Sequence, residues 1–263
     1  MYSFNNQTAL ITGASSGLGI EFAKALAARG ANLVLVARRQ GRLTAVANEL
    51  KSLHGVQVTT ISRDLSKPRS GSVLLDDIAR RKIQVDVVIN NAGFGTYGPL
   101  AGENPDRIAD EVSLNVGAVV DITRAALPGM LERNVGAIIN VASTAAFQPL
   151  SNFATYAATK AFVLSFSEAL WGETEHTGVR VLALCPGATA TEFFDVAGSD
   201  AMTGPMAAAS DVIATALTAL DRREPSVIHG ANNRFAPFAM RFASRKAVIR
   251  LARRVMSKNR PTT

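Results

Sequence analysis

The chain has 263 residues, of which 48% are apolar, and a formal net charge of +7 at pH 7. This length is typical of one large α/β domain, and the apolar fraction is ample for its core. A single cysteine excludes an internal disulfide, three scattered histidines disfavour a metal site, and no run of about 18 apolar residues predicts a membrane span. We therefore expect a soluble, cytoplasmic protein without a bound metal.

Short apolar segments alternate with longer helical patterns along the chain. TALIT, NLVLVA, VTTIS and VDVVIN predict four strands, with one helix beginning near Gly17 and another ending near Leu53. AIINVAS and VRVLALCPG predict two more strands, separated by a helix through YAATKAFVLSFSEALWGE. Continuous apolar strands are covered on both faces, which predicts a doubly wound, Rossmann-like parallel sheet in three α/β/α layers. We assign this domain to residues 1–230 and a basic helical extension to residues 231–263.

A glycine-rich turn, TGASSGLG, follows the first predicted strand and begins the first helix. Glycines let the backbone approach a pyrophosphate, which the positive end of the helix also favours. The alternative is a tight turn that binds no ligand. Because ligands of such sheets bind beyond the carboxyl ends of the strands, the whole turn is a candidate for cofactor binding: Gly13, Ser15, Ser16, Gly17, Leu18 and Gly19.

The end of the second strand favours NADP over NAD. A NAD site usually offers an acid about 20 positions after the glycines, but no acid occurs between Glu21 and Glu49. The sequence instead reads ARRQGR, and the guanidinium groups of Arg38 and Arg39 match a 2′-phosphate. A solvated, basic start of a helix is the alternative interpretation.

Polar residues also follow the third and fourth strands. Asp64 and Leu65 end the third strand, and Asn91, Ala92 and Gly93 end the fourth. A carboxylate and an amide at this edge suit an adenine and its ribose, whereas Asn91 could equally join neighbouring strand ends. Both roles are compatible with a dinucleotide that lies across the edge of the sheet.

Tyr156 and Lys160 share one face of the predicted helix because they lie four residues apart. An adjacent ammonium favours the phenolate and lowers the pKa of a tyrosine, which makes a usable acid or base. Ser143 ends the preceding strand, at the edge where a substrate oxygen would bind. Taken alone, however, the pair favours an ordinary helix surface.

TGxxxGxG, NNAG, Ser143, YxxxK and a later PG occur in one order that resembles the short-chain dehydrogenase/reductase family over about residues 5–230. The resemblance implies an NADP(H)-dependent oxidoreductase in which Tyr156 is the catalytic acid or base and Ser143 hydrogen-bonds the substrate oxygen. Lys160 would lower the pKa of Tyr156 and bind the nicotinamide ribose, and Asn115 would support a proton relay to it. Further cofactor contacts are implied for the loop after the sixth strand: Pro186, Gly187, Thr189 and Thr191. We also expect a homo-oligomer, a dimer or a tetramer.

Aromatic residues near the predicted nicotinamide site suggest an apolar substrate pocket, although each could instead pack the core. They are Phe94, Tyr97, Phe147, Phe193 and Phe194. Without a charged cluster among these segments, we expect a small hydrophobic carbonyl or alcohol substrate, with the loop over residues 196–205 closing over the cofactor. A non-catalytic NADP(H) sensor or scaffold is the alternative, but such a protein needs no acid/base tyrosine.

Basic residues concentrate at the end of the chain. Nine of the 28 lysines and arginines lie between Arg234 and Arg260, and no acid follows Glu224. This charge alone predicts no specific nucleic acid partner. Apolar residues at helical spacing accompany it: Phe238, Phe242, Val248, Ile249, Leu251 and Val255. Such a segment packs on its own domain or a partner subunit, covers the substrate cleft, or makes peripheral contact with an anionic membrane.

Overall fold

The computed structural model describes residues 1–197, 206–240 and 242–257. Within these residues, seven parallel strands form one sheet in the order β3-β2-β1-β4-β5-β6-β7. Leu10 in the first strand pairs with Val34 on one side and with Val88 on the other. The strands are β1 (Thr8–Thr12), β2 (Asn32–Ala37), β3 (Val58–Ser62), β4 (Val87–Asn90), β5 (Gly136–Val141), β6 (Val179–Cys185) and β7 (Ser226–Ile228).

Helices cover both faces of the sheet because its strands are apolar on both sides. In β1, Ala9 and Ile11 pack toward α1, α2 and α8, whereas Leu10 packs toward α3, α5 and α6. The predicted three-layer, doubly wound fold is therefore confirmed. The helices are α1 (Gly17–Ala27), α2 (Gln40–His54), α3 (Ser70–Arg80), α4 (Pro105–Val112), α5 (Ala118–Glu132), α6 (Ala154–Thr174), α7 (Phe193–Ala197), α8 (Ala209–Asp221), α9 (Ala231–Met240) and α10 (Arg245–Ser257).

Several strands differ from the sequence prediction. β5 covers Gly136–Val141 rather than residues 137–143, and β6 ends at Cys185, before the predicted Pro186 and Gly187. The fourth begins at Val87 rather than at residue 85, although the Asp86 backbone is still hydrogen-bonded to Thr8 and to Ala137, each at 3.0 Å. The edge strand β7 has only three residues, too few to produce a recognisable pattern.

The strand order places a crevice where β1 lies between β2 and β4. From β1 the chain continues to β2 and β3 on one side of the sheet, and it then returns to β4 on the other side of β1. Doubly wound sheets bind ligands at such switch points. The proposed division at residue 230 stays a prediction. Most of the loop predicted over residues 196–205, and the side chains of Phe238 and Val255, lie outside the described residues.

Candidate active site

A cleft of about 940 Å³ opens at the carboxyl ends of the strands. Its size suits a dinucleotide together with a small substrate. Among the residues predicted for catalysis or cofactor binding, Gly19 and Asn115 do not line it. The residues that do are Gly13, Ser15, Ser16, Gly17, Leu18, Arg38, Arg39, Asp64, Leu65, Asn91, Ala92, Gly93, Ser143, Tyr156, Lys160, Pro186, Gly187, Thr189 and Thr191.

The glycine turn is shaped by close backbone approaches. Gly13 and Gly17 have φ angles of +66° and +53°, which glycine adopts without strain. A Cβ on Gly19 would collide with the Gly13 carbonyl oxygen, so Gly19 lets α1 pack against the turn instead of facing the cleft. The Ser16 side chain does not cap α1. The first N–H groups of a helix lack partners within it, so this end of α1 fits a pyrophosphate.

Asn91 joins the ends of two strands. Its Nδ2 donates to the Thr12 carbonyl oxygen at 2.9 Å, and its backbone N–H donates to the Thr12 Oγ1 at 3.0 Å. The structural role that the sequence left open is therefore present, and the side chain also lines the cleft. A contact between Asn91 and a cofactor remains a prediction.

The arginines after β2 have different surroundings. Arg39 donates from Nη2 to the Ser15 Oγ at 3.2 Å and pairs with Glu192 at 2.8 Å. Arg42 also pairs with Glu192 at 2.8 Å. Within the described residues the Arg38 guanidinium makes no hydrogen bond or ion pair, so it is available to an anion in the cleft.

Asp64 remains ionised at this end of the cleft. Burial works against the charge, but the amide and hydroxyl of Ser66 donate to Oδ1 at 3.0 and 2.9 Å and lower the pKa of the carboxyl group. The attraction of Lys67 and Arg38 acts in the same direction. Asp64 therefore offers a hydrogen-bond acceptor beside Arg38.

Tyr156 lies at the other end of the cleft in an aromatic stack. Its ring centroid is 4.4 Å from that of Phe153 and 5.3 Å from that of Phe193. The Ser143 side chain caps the short 3₁₀ turn Thr144–Phe147, where its Oγ accepts from the Ala145 N–H at 3.1 Å. The Ser143 hydroxyl is also close enough to the phenol to lower its pKa by hydrogen bonding.

Lys160 and Asn115 meet beneath Gly93. A Cβ on Gly93 would lie 2.9 Å from the Asn115 Oδ1 and 3.5 Å from the Lys160 Nζ. Lys160 donates to the Val141 carbonyl oxygen at 2.7 Å. Asn115 sits in a π-helical turn, Ser113–Gly117, and its Nδ2 donates to the Phe94 carbonyl oxygen at 2.9 Å. Such turns within helices are frequent at functional sites.

Burial controls the protonation of this group. It raises the pKa of Tyr156 to about 12, although the Ser143 hydroxyl opposes the change. It also lowers the pKa of Lys160 to about 8. In the protein alone, desolvation of the Tyr156 phenol outweighs the hydrogen bond from Ser143, and the Lys160 Nζ lies 5.7 Å from the Tyr156 ring centroid. A lowering of the Tyr156 pKa by Lys160 stays a prediction.

An apolar wall surrounds Tyr156. Phe94, Phe193 and Phe194 line the cleft, and Tyr97 packs in the same cluster as Tyr156. Phe147 instead packs in a separate core cluster, as the alternative interpretation allowed. Further wall residues are Leu150 and Phe153, on the segment after Ser143, and Met240, Leu251, Ala252 and Met256, on the C-terminal extension that could cover the cleft.

Sequence reasoning missed two acidic residues. Glu192 bridges two arginines, and Glu111 is 0% exposed with neither carboxyl oxygen hydrogen-bonded within the described residues. Burial raises the pKa of Glu111, although the Thr96 hydroxyl and amide, Arg107 and Lys160 are close enough to oppose the rise. Neither acid belongs to a motif, so the sequence carried no signal for either.

The site can be compared with known proteins. A model of the short chain dehydrogenase family matches residues 7–201. This span contains the glycine turn, Ser143, Tyr156 and Lys160. The chain belongs to the short-chain dehydrogenase/reductase family. Among the described residues of this family member, no helix is long and apolar enough to cross a membrane, and no three His, Cys, Asp or Glu side chains are grouped as a metal site requires.

Relatives within the family bind different cofactors. A short-chain dehydrogenase from Sphingobium yanoikuyae, solved with NADPH, is 35% identical with a TM-score of 0.81, covering 89% of this chain and 93% of that one. A family member from Burkholderia phymatum, solved with NAD, is 26% identical with a TM-score of 0.81, and the match covers all of both chains.

A curated relative extends beyond the shared region. The very-long-chain 3-oxoacyl-CoA reductase of Mus musculus is 35% identical over 194 residues, which are 70% of this chain. The match spans only 60% of the mouse protein, and the same share of the rat protein of that name. The likeness to these two relatives therefore concerns the dehydrogenase region only.

Proposed function

We propose that this protein is an NADP(H)-dependent oxidoreductase that acts on a carbonyl or secondary alcohol group of a hydrophobic substrate. The observation that carries the proposal is one continuous cleft with arginines at one end and the Tyr156 phenol beside Ser143 at the other. An anion site and a proton donor in one cleft are what reduction by a phosphorylated dinucleotide needs.

Different residues along the cleft would bind different parts of the cofactor and the substrate. When bound, the nicotinamide supplies or accepts the hydride. The glycine turn and the uncapped end of α1 would hold the pyrophosphate, and Arg38 the 2′-phosphate. Ser143 would donate a hydrogen bond to the substrate oxygen and stabilise its developing charge.

The protonation states favour reduction of a carbonyl. Because the pKa of Tyr156 is about 12, the phenol carries its proton at neutral pH and can donate it to the substrate oxygen. The pKa of Lys160, about 8, leaves most of the ammonium protonated at pH 7. Lys160 and Asn115, which flank Gly93, would then return a proton to Tyr156.

The preference for NADP(H) rests on charge. Related structures contain NADPH in one case and NAD in another, so kinship alone does not choose between them. Arg38 and Arg39 follow β2, where a NAD site would offer an acid. An unpaired guanidinium at this position favours the 2′-phosphate.

The substrate class rests on the wall around Tyr156. Phe153, Phe193 and Met256 present apolar surface beside the phenol, which suits ketones, aldehydes or acyl chains better than sugar phosphates. A 3-oxoacyl group, as in the name of the mouse relative, combines a carbonyl with an apolar chain. We include 3-oxoacyl compounds among the candidate substrates.

The surface of the last helices supports a proposal about location. Phe242 is 79% exposed and Ile249 is 42% exposed, and α10 also presents exposed arginines. Apolar and basic side chains together fit an anionic membrane surface. We therefore propose a cytoplasmic protein with peripheral membrane contact. A homo-oligomer, a dimer or a tetramer, remains an expectation.

Tyr156→Phe tests the proposed activity. The variant should lose about 10²- to 10⁴-fold in turnover of hydrophobic carbonyls, while calorimetric titration shows NADPH binding nearly unchanged. Tyr2→Phe is the matched control, because Tyr2 packs on Phe4 and does not line the cleft. Turnover of Tyr156→Phe within a few-fold of the unaltered protein would refute the assignment. NADPH binding without turnover of any carbonyl by the unaltered protein would instead favour a sensor or scaffold.

A further inference from the structure

Glu192 connects the two sides of the cleft at its adenosine end. It follows Thr191 in the loop after β6, and its two carboxylate oxygens pair separately with Arg39 and Arg42, each at 2.8 Å. Arg39 is also bonded to the glycine turn, through the Ser15 Oγ and carbonyl oxygen. One carboxylate therefore links the loop after β6 to the start of α2 and, through Arg39, to the glycine turn.

This carboxylate has the chemistry of the group that the arginines are proposed to bind. A 2′-phosphate and a carboxylate both take two parallel hydrogen bonds from guanidinium groups. The attraction of Arg39 and Arg42 lowers the pKa of Glu192, so it is an anion at neutral pH. Arg38 has no such partner among the described residues.

We propose that the Glu192 carboxylate competes with the 2′-phosphate of the cofactor for Arg39. The phosphate must displace this carboxylate from Arg39 before NADP(H) is fully bound. The inference rests on the proposed NADP(H) dependence and adds a residue that sets the strength of this preference. Arg38 receives the phosphate first, and Arg39 joins it once Glu192 has left.

Displacement of Glu192 by the 2′-phosphate also affects the substrate end of the cleft. Phe193 follows Glu192 directly, and its ring centroid lies 5.3 Å from that of Tyr156. A carboxylate held by Arg39 and Arg42 keeps this segment against the glycine turn, where a Cβ on Gly17 would lie 2.9 Å from Thr191. Release of Glu192 therefore frees the segment that carries part of the substrate wall.

The test compares ligands with and without a 2′-phosphate. Adenosine 2′,5′-bisphosphate and AMP are titrated by calorimetry into the unaltered protein and Glu192→Gln. Because Glu192 and its partners are exposed, removing the competing charge should tighten adenosine 2′,5′-bisphosphate binding by about fivefold, or about 1 kcal/mol, and change AMP binding by less than about twofold. NADPH and NADH should follow the same pattern.

Glu21→Gln is the control variant. Glu21 pairs with Lys24 at 3.3 Å on α1 and does not line the cleft, so removing its charge should leave both affinities unchanged. If the unaltered protein does not prefer adenosine 2′,5′-bisphosphate to AMP, the NADP(H) proposal and this inference both fail. If it has that preference but Glu192→Gln binds the bisphosphate no more tightly, only the role of Glu192 is wrong. Melting temperatures verify that each variant is folded.

Discussion

The Lys160 side chain is buried, and burial makes its protonated, charged form less stable than it would be in water. The side chain is 5% exposed, and burial lowers its pKa from 10.5 to about 8, although the attraction of Glu111 acts in the opposite direction. Between these two values the unfolded chain binds more protons than the folded one, so stability rises with pH from about 8 to 10.5. Below pH 8 the folded protein bears the whole penalty.

Lys160→Met should therefore stabilise the protein while it abolishes activity. At pH 7 we expect the free energy of unfolding to rise by about 2 kcal/mol, since relief of the charge outweighs loss of the hydrogen bond to the Val141 carbonyl. The gain should disappear near pH 10.5. Urea unfolding at pH 7 and pH 10 measures both values, with exposed Lys51→Met as the control. An equal loss of stability at both pH values would contradict this account.

For single residues, the sequence predicted which residues form the site better than it predicted the surroundings of their side chains. Ser143, Tyr156 and Lys160 could be found because their order along the chain is distinctive, and the structure places all three in the cleft. The direction of the Tyr156 pKa shift could not be found, because it depends on the rings of Phe153 and Phe193 around the phenol. Glu111 has the sequence appearance of a solvent-facing helix residue, although it is fully buried.

The helix α10 has an inner and an outer face. Val248, Ala252 and Met256 are buried at four-residue spacing, and the Tyr97 hydroxyl donates to the Met256 carbonyl oxygen at 3.2 Å. Ile249 on the outer face is 42% exposed. Ala252 and Met256 thus line the cleft, and Met256 packs in the same cluster as Tyr156, while the outer face presents apolar surface. A role of the extension as a cover of the substrate stays a prediction.

Two matched substitutions separate these faces. Met256→Asp should raise the KM of a hydrophobic ketone about tenfold, because a carboxylate is not tolerated beside the aromatic cluster. Ile249→Asp should leave that KM within about twofold but weaken sedimentation with phosphatidylserine vesicles at low salt. If Ile249→Asp raises KM as much as Met256→Asp, the assignment of faces is wrong. If the unaltered protein does not bind vesicles at low salt, the membrane proposal is wrong.

The elements themselves were largely predictable because buried parallel strands have an unbroken apolar pattern. β1, β2 and β3 contain the residues that their sequence patterns indicated, and β6 differs only in ending at Cys185, before the predicted Pro186 and Gly187. The docking of α10 was not predictable, because it depends on contacts such as that between Tyr97 and Met256, 159 residues apart. Helical periodicity reveals an apolar face but does not reveal what that face packs against.

In the whole molecule, the excess positive charge and the candidate site belong to different regions. The net charge of +7 arises largely from the end of the sequence, where nine basic residues lie in a stretch that contains no acidic residue. The sheet gathers the glycine turn, the arginines and Tyr156 at one edge although they are far apart in sequence. Predicting this edge required only the parallel order of strands, whereas the bridge from Glu192 to Arg39 and Arg42 joins segments about 150 residues apart.

The central claim is hydride transfer from NADPH to a carbonyl carbon in this cleft. The most direct measurement incubates the protein with NADPH deuterated at both C4 positions and a panel of hydrophobic ketones, aldehydes and 3-oxoacyl compounds, and analyses the products by mass spectrometry. We predict an alcohol that carries one deuterium on its former carbonyl carbon, formed faster with NADPH than with NADH. Oxidation of the cofactor without deuterium in the alcohol, or no alcohol from any carbonyl of the panel, would contradict the account.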